Sequence, residues 1–210
     1  MSVVIFGDSF SFPDGGAPAN RVHTYAKGFY ENGIVPYVIC FKNQYTENIS
    51  GFEGGIRYYY PFGQKKRSRY FLVRSWHKII KFFKTFRLIN KINRNDKILA
   101  FICDSEVLLT QLSAYFASRW VKTNIILERS EHPLRYYQDS FLRKLSGRLK
   151  IRLETALCDG ILCISHFLHN FYIQKGLSPE RLFIVPSTVD NERFSVTSDP
   201  PFDFEYVLYC

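Results

Sequence analysis

Short, continuously apolar runs alternate along this chain with longer stretches of helical period. The runs at 3–6, 35–41, 56–60, 97–102, 124–128, 160–164 and 182–185 predict strands. The stretches at 20–32, 70–92, 106–121, 138–157 and 165–175 predict helices. Several runs, among them Ile98–Cys103 and Ile161–Ile164, show no polar alternation. A strand needs that composition when both of its faces are covered. Strands alternating with helices then predict an α/β class: a Rossmann-like, doubly wound parallel sheet with helices on both faces, in three layers.

The first of these units carries the strongest local signal. The run 3–6 feeds a small, polar, Pro/Gly-rich stretch from Gly7 to Asn20, with Gly15-Gly16 at its centre. A helical pattern of Val22, Tyr25, Ala26 and Phe29 follows and closes at Gly33. A strand that enters a helix through a glycine loop presents backbone N–H groups at the helix N-terminus, where an anion such as phosphate can be held. The loop is not GxGxxG, and the chain has no GxxxxGK[ST], so dinucleotide and P-loop readings lose support. An ordinary βα loop remains open beside the anion-binding reading. Asp104-Ser105-Glu106 offers N-caps to the helix at 106–121, and Ser165 offers one to the helix at 165–175. Gly176 and Ser178-Pro179-Glu180 end that last helix and turn the chain. The polar, proline-containing stretch 195–203 reads as a linker, and 204–210 reads as one more strand.

Composition narrows the picture. The 210 residues suffice for one substantial core, or for a domain and a stub. No apolar run approaches the ~20 residues of a membrane span, and no basic segment followed by an apolar one marks a signal peptide at the N-terminus. Five cysteines without CxxC spacing predict free thiols in a reducing, cytoplasmic compartment, with neither disulfides nor zinc. Charge is unevenly spread. Lys65–Arg94 holds 11 of the 28 Lys/Arg and no Asp or Glu, leaving 17 basic against 19 acidic residues elsewhere. Within this segment Trp76, Ile79, Ile80, Phe83 and Phe86 recur at helical spacing, while Arg74, Lys78, Lys81, Lys84 and Arg87 fall largely on other faces. A basic helix with an aromatic stripe suits an anionic membrane surface, with Arg74, Trp76, Lys78, Lys81, Phe83 and Lys84 as the contacting residues. The same pattern also describes a helix that packs its stripe on the sheet and solvates its charges. Nucleic acid is not an expected partner, since the rest of the chain carries no recognisable nucleic-acid module.

Candidate chemistry gathers where parallel strands end. The strand 124–128 runs into Arg129-Ser130-Glu131-His132-Pro133, so its carboxyl end carries two carboxylates, a guanidinium and an imidazole. Such groups can contact sugar hydroxyls or move protons, or can form a surface turn of mutual ion pairs. Asp104 stands at the equivalent edge of the preceding strand and reads either as a site residue or as a helix N-cap. His166 and His169 are three apart, with no third ligand at useful spacing, so no metal is expected.

The last third of the chain is the most specific. Asp159-Gly-Ile-Leu-Cys-Ile-Ser165, a helix to Gly176, Ser178-Pro-Glu-Arg-Leu-Phe-Ile-Val-Pro186, Val189-Asp190 and Arg193-Phe194 follow in order. This resembles the end of the N-terminal domain in glycosyltransferase family 4. Gly15-Gly16, Arg21, Lys27-Gly28, Gly33 and Val35–Cys40 resemble the glycine loop and the second strand of the same family.

The resemblance implies a metal-independent, retaining enzyme of the hexosyltransferase type, with two Rossmann-like halves (the GT-B fold) around a cleft. It would need no cofactor, its nucleotide sugar being a substrate. By resemblance, residues 1–194 form the half that receives a glycan or glycolipid acceptor in surface polysaccharide synthesis. Residues 195–203 link it to a missing C-terminal donor-binding domain, of which 204–210 would be the first strand. Gly15, Gly16 and Arg21 would approach the donor diphosphate and the acceptor. Glu131 and His132 lie where the family places catalytic or acceptor-contacting residues, and Ser130 is a candidate for the place of its catalytic His. Asp104, Ser165 and His166 are further acceptor-side candidates. Ser187-Thr188, where the family has Asn-Gly, would form the interdomain edge with Asp190. The donor signature E-x7-E is absent, so this chain alone is expected to be inactive; the basic helix points to a parent protein peripheral on the inner face of the membrane. The alternative is a non-catalytic Rossmann-like binding module that docks to membrane or a partner through the basic helix.

Overall fold

A computed structural model describes residues 1–41, 49–62, 68–133, 141–188 and 190. The side chains of Phe71, Arg74 and Lys78 lie outside the described residues, as do the proposed linker and the strand at 204–210. The expected α/β fold is present. Eight strands form one sheet in the order β3-β4-β2-β1-β5-β6-β7-β8. They are β1 (Ser2–Gly7), β2 (Val35–Cys40), β3 (Ser50–Glu53), β4 (Ile56–Tyr59), β5 (Ile98–Asp104), β6 (Asn124–Arg129), β7 (Gly160–Cys163) and β8 (Leu182–Ile184). All pairings are parallel except β3 with β4. Of that edge hairpin the hydrophobic pattern gives β4 but not β3; the turn between them, Gly54-Gly55, both at positive φ (54° and 87°), is a two-residue hairpin turn that needs glycine.

The helices are α1 (Gly16–Glu31), α2 (Phe71–Asn95), α3 (Leu108–Trp120), α4 (Phe141–Leu157) and α5 (His166–Gln174). They divide unequally between the faces. α1 packs on one side, where Val22 and Ala26 meet Val3, Ile5, Val38 and Ile102. The other helices share the opposite side, over Val4, Phe6, Phe101, Ile125 and Ile161. Right-handed crossovers require this: β1 to β2 steps one way across the sheet, and every unit from β4 onward steps the other way.

Two helices bury an unexpected stripe. The inward residues of α2 are Lys81, Thr85, Ile89 and Ile92, while Trp76, Ile79 and Phe83 face solvent. Lys81 was expected at a membrane surface. Its side chain is instead only 7% exposed and donates to the Phe41 carbonyl above the Phe41 ring. Burial pulls its ammonium down to about 8, with Asp8 opposing. α4 likewise buries Gly147, Lys150, Ile151 and Glu154 and exposes Phe141, Leu142, Leu145 and Leu149. The four described cysteines are buried thiols.

Candidate functional site

Strand order reverses beside β1, whose neighbours are β2 and β5. The loops leaving β1 and β5 therefore diverge and open a crevice at the carboxyl edge, the place where open α/β sheets bind ligands. A cleft of about 870 Å³ occupies it, bounded by Ser9, Arg21, Asp104, Glu128, Glu131 and Asp190 among others.

Close packing sets its floor. A Cβ on Gly7 would lie 2.1 Å from the Asp104 carbonyl oxygen, so only glycine lets the end of β1 pass the end of β5. Ser9 Oγ donates to the same carbonyl at 2.9 Å. The glycine loop is anchored by Phe10 and Phe12, both buried. The Tyr60 hydroxyl accepts from Phe12 N–H at 2.9 Å and donates to Phe12 C=O at 2.7 Å. A Cβ on Gly15 would meet the Ser11 carbonyl oxygen at 2.3 Å, and Gly16 turns the chain at φ +70° into α1. The helix thus starts at Gly16, four residues before the predicted start at 20, and this start carries Arg21 over the ends of β5 and β6.

Arg21 bridges two carboxylates from those strands. Its Nη2 donates to Asp104 Oδ2 and to Glu128 Oε2, each at 3.3 Å. Its Nε lies 3.2 Å from Glu128 Oε1, an ion pair whose angle is off line for a hydrogen bond. Both carboxylates are buried. Burial acts to lower the Arg21 guanidinium, but Glu128 and Asp104 outweigh it and raise it. Burial pushes Glu128 well above the usual carboxylate range, and the neighbouring Asp104 adds to the rise through charge and a hydrogen bond. Arg21 and Arg129 oppose both effects. Two carboxyl groups in one dry site share a proton more readily than both ionise.

A pH dependence follows. The unfolded chain releases the Glu128 proton near the ordinary value of about 4.3, and the folded chain keeps it to higher pH. Between the two values the native state binds more protons, so stability is full in acid and falls as pH rises through the folded value. Glu128→Gln fixes the neutral form. Its melting temperature should fall less than the native chain's from acid to mildly alkaline pH, with the largest stabilisation at the alkaline end. Parallel Tm–pH profiles for the two proteins would refute this.

The remaining predicted residues divide. Ser130 and Glu131 line the cleft, as do Ser187, Thr188 and Asp190. Asp190 accepts from Lys27 Nζ at 3.0 and 3.1 Å, tying the segment after β8 to α1. His132 packs edge-on against Phe171 at 4.6 Å between centroids and touches Phe167. Ser165 caps α5 by accepting from Leu168 N–H, and His166 is exposed on the first turn of that helix. Neither borders the cleft. Of the two readings open for Asp104, the cap is not taken: it is the last residue of β5 and lines the cleft, and α3 starts at Leu108 with no side-chain cap. No group of three or more His, Cys, Asp or Glu placed to hold a metal occurs among the described residues.

Glu128 was counted among the candidate groups at the end of its strand, but no role was assigned to it. The network beneath it was not read from the sequence. Side chains alternate along β6, so Glu128 faces the cleft and Arg129 faces the α3–α5 layer. Arg129 is fully buried. It donates to Glu154 Oε1 at 2.8 Å and to the Ser105 and Glu128 carbonyls at 2.9 Å. Glu154 also accepts from Gln111 Nε2 at 2.9 Å and from the Tyr172 hydroxyl at 3.2 Å. Lys150 reaches Glu106 Oε2 at 2.7 Å. One ion cluster thereby joins β6, α3, α4 and α5 under the cleft.

No protein-family model and no curated protein sequence matches the chain. Solved structures do match its fold. Sucrose-phosphate synthase from Thermosynechococcus elongatus superposes with TM-score 0.61 at 9% identity, over 95% of this chain and 53% of that one. Anabaena Alr3699/HepE in complex with UDP gives TM-score 0.51 at 13% identity, over 91% of this chain and 45% of that one. The lipopolysaccharide outer core galactosyltransferase WaaB, apo form, gives 0.52 at 15% identity, over 89% and 45%. The likeness shows a Rossmann-like domain of the GT-B kind, and the chain spans about half the length of these structures.

Proposed function

We propose that this domain is the acceptor-side half of a retaining, nucleotide-sugar-dependent glycosyltransferase of family 4 type, which moves a sugar onto a glycan or glycolipid in surface polysaccharide synthesis. The observation that carries the reading is the Arg21–Asp104–Glu128 cluster, buried at the strand-order reversal of a GT-B-like sheet. Carboxyl groups that accept and donate hydrogen bonds suit sugar hydroxyls. Asp104 and the exposed Glu131 on the cleft wall would orient the acceptor hydroxyl toward the anomeric carbon. Arg21 and the backbone N–H groups opening α1 would face the negative charge that develops on the departing diphosphate. Ser187, Thr188 and Asp190 line the rim where a second Rossmann-like domain would close and present the donor. No metal takes part in this scheme. A glycolipid acceptor would be met at an anionic membrane surface through the basic helix α2.

On this reading the donor is held chiefly by the other half. Titration of residues 1–210 with UDP-glucose should give only weak binding and no transfer to saccharide acceptors. Transfer should appear when a donor-binding Rossmann-like domain is joined after residue 210. Tight UDP-glucose binding by the chain alone, lost in Gly15→Val, would overturn the division of labour. Transfer by the chain alone would do the same.

A further inference from the structure

We infer that the outer surface of α2, α3 and α4 together is a docking face for the anionic leaflet of a lipid bilayer. The basic helix read from sequence is one part of it, and α4 is a second part that the sequence did not reveal. Both helices expose large apolar residues over buried polar ones. α2 leaves Trp76 at 61% and Phe83 at 63% exposure while Lys81 and Thr85 are buried beneath them. α4 leaves Leu145 at 55% and Leu149 at 56% exposure, and buries Lys150 and Glu154. α3, which contacts α2, adds exposed Phe116 and Trp120. With Phe82, Phe83 and Phe86 of α2, these two line a shallow groove of about 1080 Å³ between the helices.

Charge identifies the occupant. The three helices contain a single carboxylate, Glu154, and it is buried in the Arg129 cluster. Around the apolar residues stand Lys84, Arg87, Lys91 and Arg94 on α2, and Lys144, Arg148 and Arg152 on α4, all exposed. The facing carboxylates from neighbouring elements are already engaged: Asp159 accepts from Arg119 at 2.9 Å, and Glu106 from Lys150. Exposed aromatic and leucine side chains ringed by Lys and Arg match an interface with an apolar interior beneath an anionic surface. A protein partner of this chemistry would need an apolar patch bordered by acids; a second copy of the chain would bring like charge to like.

α2 and α3 lie in one layer on one face of the sheet, and α4 joins that side where Glu154 meets Arg129 and Gln111. Docked through that layer, the sheet lies flat along the bilayer with α1 turned away from it. The cleft at the carboxyl edge then opens sideways, parallel to the lipid surface. The inference rests on the membrane part of the reading above. Its test uses lipid alone, so it can fail while sugar transfer stands.

The test is co-sedimentation with vesicles of phosphatidylglycerol and phosphatidylcholine in equal parts, against phosphatidylcholine alone. The native chain should bind the anionic vesicles at least tenfold more tightly and release them at about 1 M salt, where charge is screened within ~3 Å. Ile79→Asp/Phe83→Asp on α2 and Leu145→Asp/Leu149→Asp on α4 replace exposed residues, so circular dichroism melts should match the native chain. Each pair should weaken binding about tenfold or more. Unchanged binding in the folded α4 pair would overturn the two-helix surface, as would equal binding to both vesicle types. A lipid-free dimer that the same substitutions dissociate would assign the face to a second copy instead.

Discussion

Glu154→Leu should lower the stability of the domain by about 3–5 kcal/mol, the cost of stranding a buried charge. The substitution leaves Arg129 fully buried without its 2.8 Å partner, and it removes the acceptor of Gln111 and Tyr172. For a domain of this size the melting temperature should fall by roughly 6–20 °C. The penalty belongs to the uncompensated charge and not to the pair as such. Arg129→Met combined with Glu154→Leu should therefore recover much of the loss, since a buried ion pair replaced by apolar groups of similar size is often neutral or better. The Ser105 carbonyl that Arg129 leaves behind still accepts from Gln111. Denaturant titration of the two single variants and the double variant gives the coupling energy. A double variant no more stable than Glu154→Leu would mean that the cluster stabilises through packing alone.

The second large effect concerns the cleft. In an enzyme completed by a donor-binding half, Arg21→Gln should lower kcat/KM by about 10²–10³-fold, the usual cost of removing a group that faces developing negative charge. Arg21 also holds Asp104 and Glu128 in place, so loss of activity by itself would not separate the two roles. Arg21→Lys separates them. It restores positive charge without the fork that bridges both carboxylates. A charge role predicts substantial rescue in kcat. A positioning role predicts none, together with a raised KM for the acceptor. Full activity in Arg21→Gln would remove the residue from the mechanism.

Legibility differed between the fold and the site for physical reasons. The parallel strands were readable because burial on both faces leaves an uninterrupted apolar run, as in Ile98–Cys103. The edge strand Ser50–Glu53 has an exposed and half-buried pattern and offers no such run. Helix periods were readable, but their phases were not always. In the N-terminal parts of α2 and α4 exposed apolar residues lie outward of buried polar ones, whereas Ile89, Ile92 and Ile151 face inward, so period alone assigned Trp76, Phe83, Leu145 and Leu149 to no particular side. Lys81 was misplaced for the same reason: a lysine stem can lie in a core when its ammonium finds a carbonyl and a ring. Asp104 was visible at a strand end, with the helix cap as its simplest local explanation. Its partner Arg21 stands 83 residues earlier in the chain. Only the strand order, which places β1 beside β5, brings them together, and no local pattern encodes that pairing.

The clasp between Lys27 and Asp190 has a geometric corollary. Asp190 sits on the wall of the cleft, so a chain continued from it would start at the site and not at a remote corner of the domain. A module carried there would be leashed to the cleft that Arg21 lines. Such a leash converts a bimolecular encounter into an intramolecular one, at effective concentrations in the millimolar range for a short flexible connection. A second domain joined on that side would need little affinity for this one to meet it, and could part from it between turnovers without being lost.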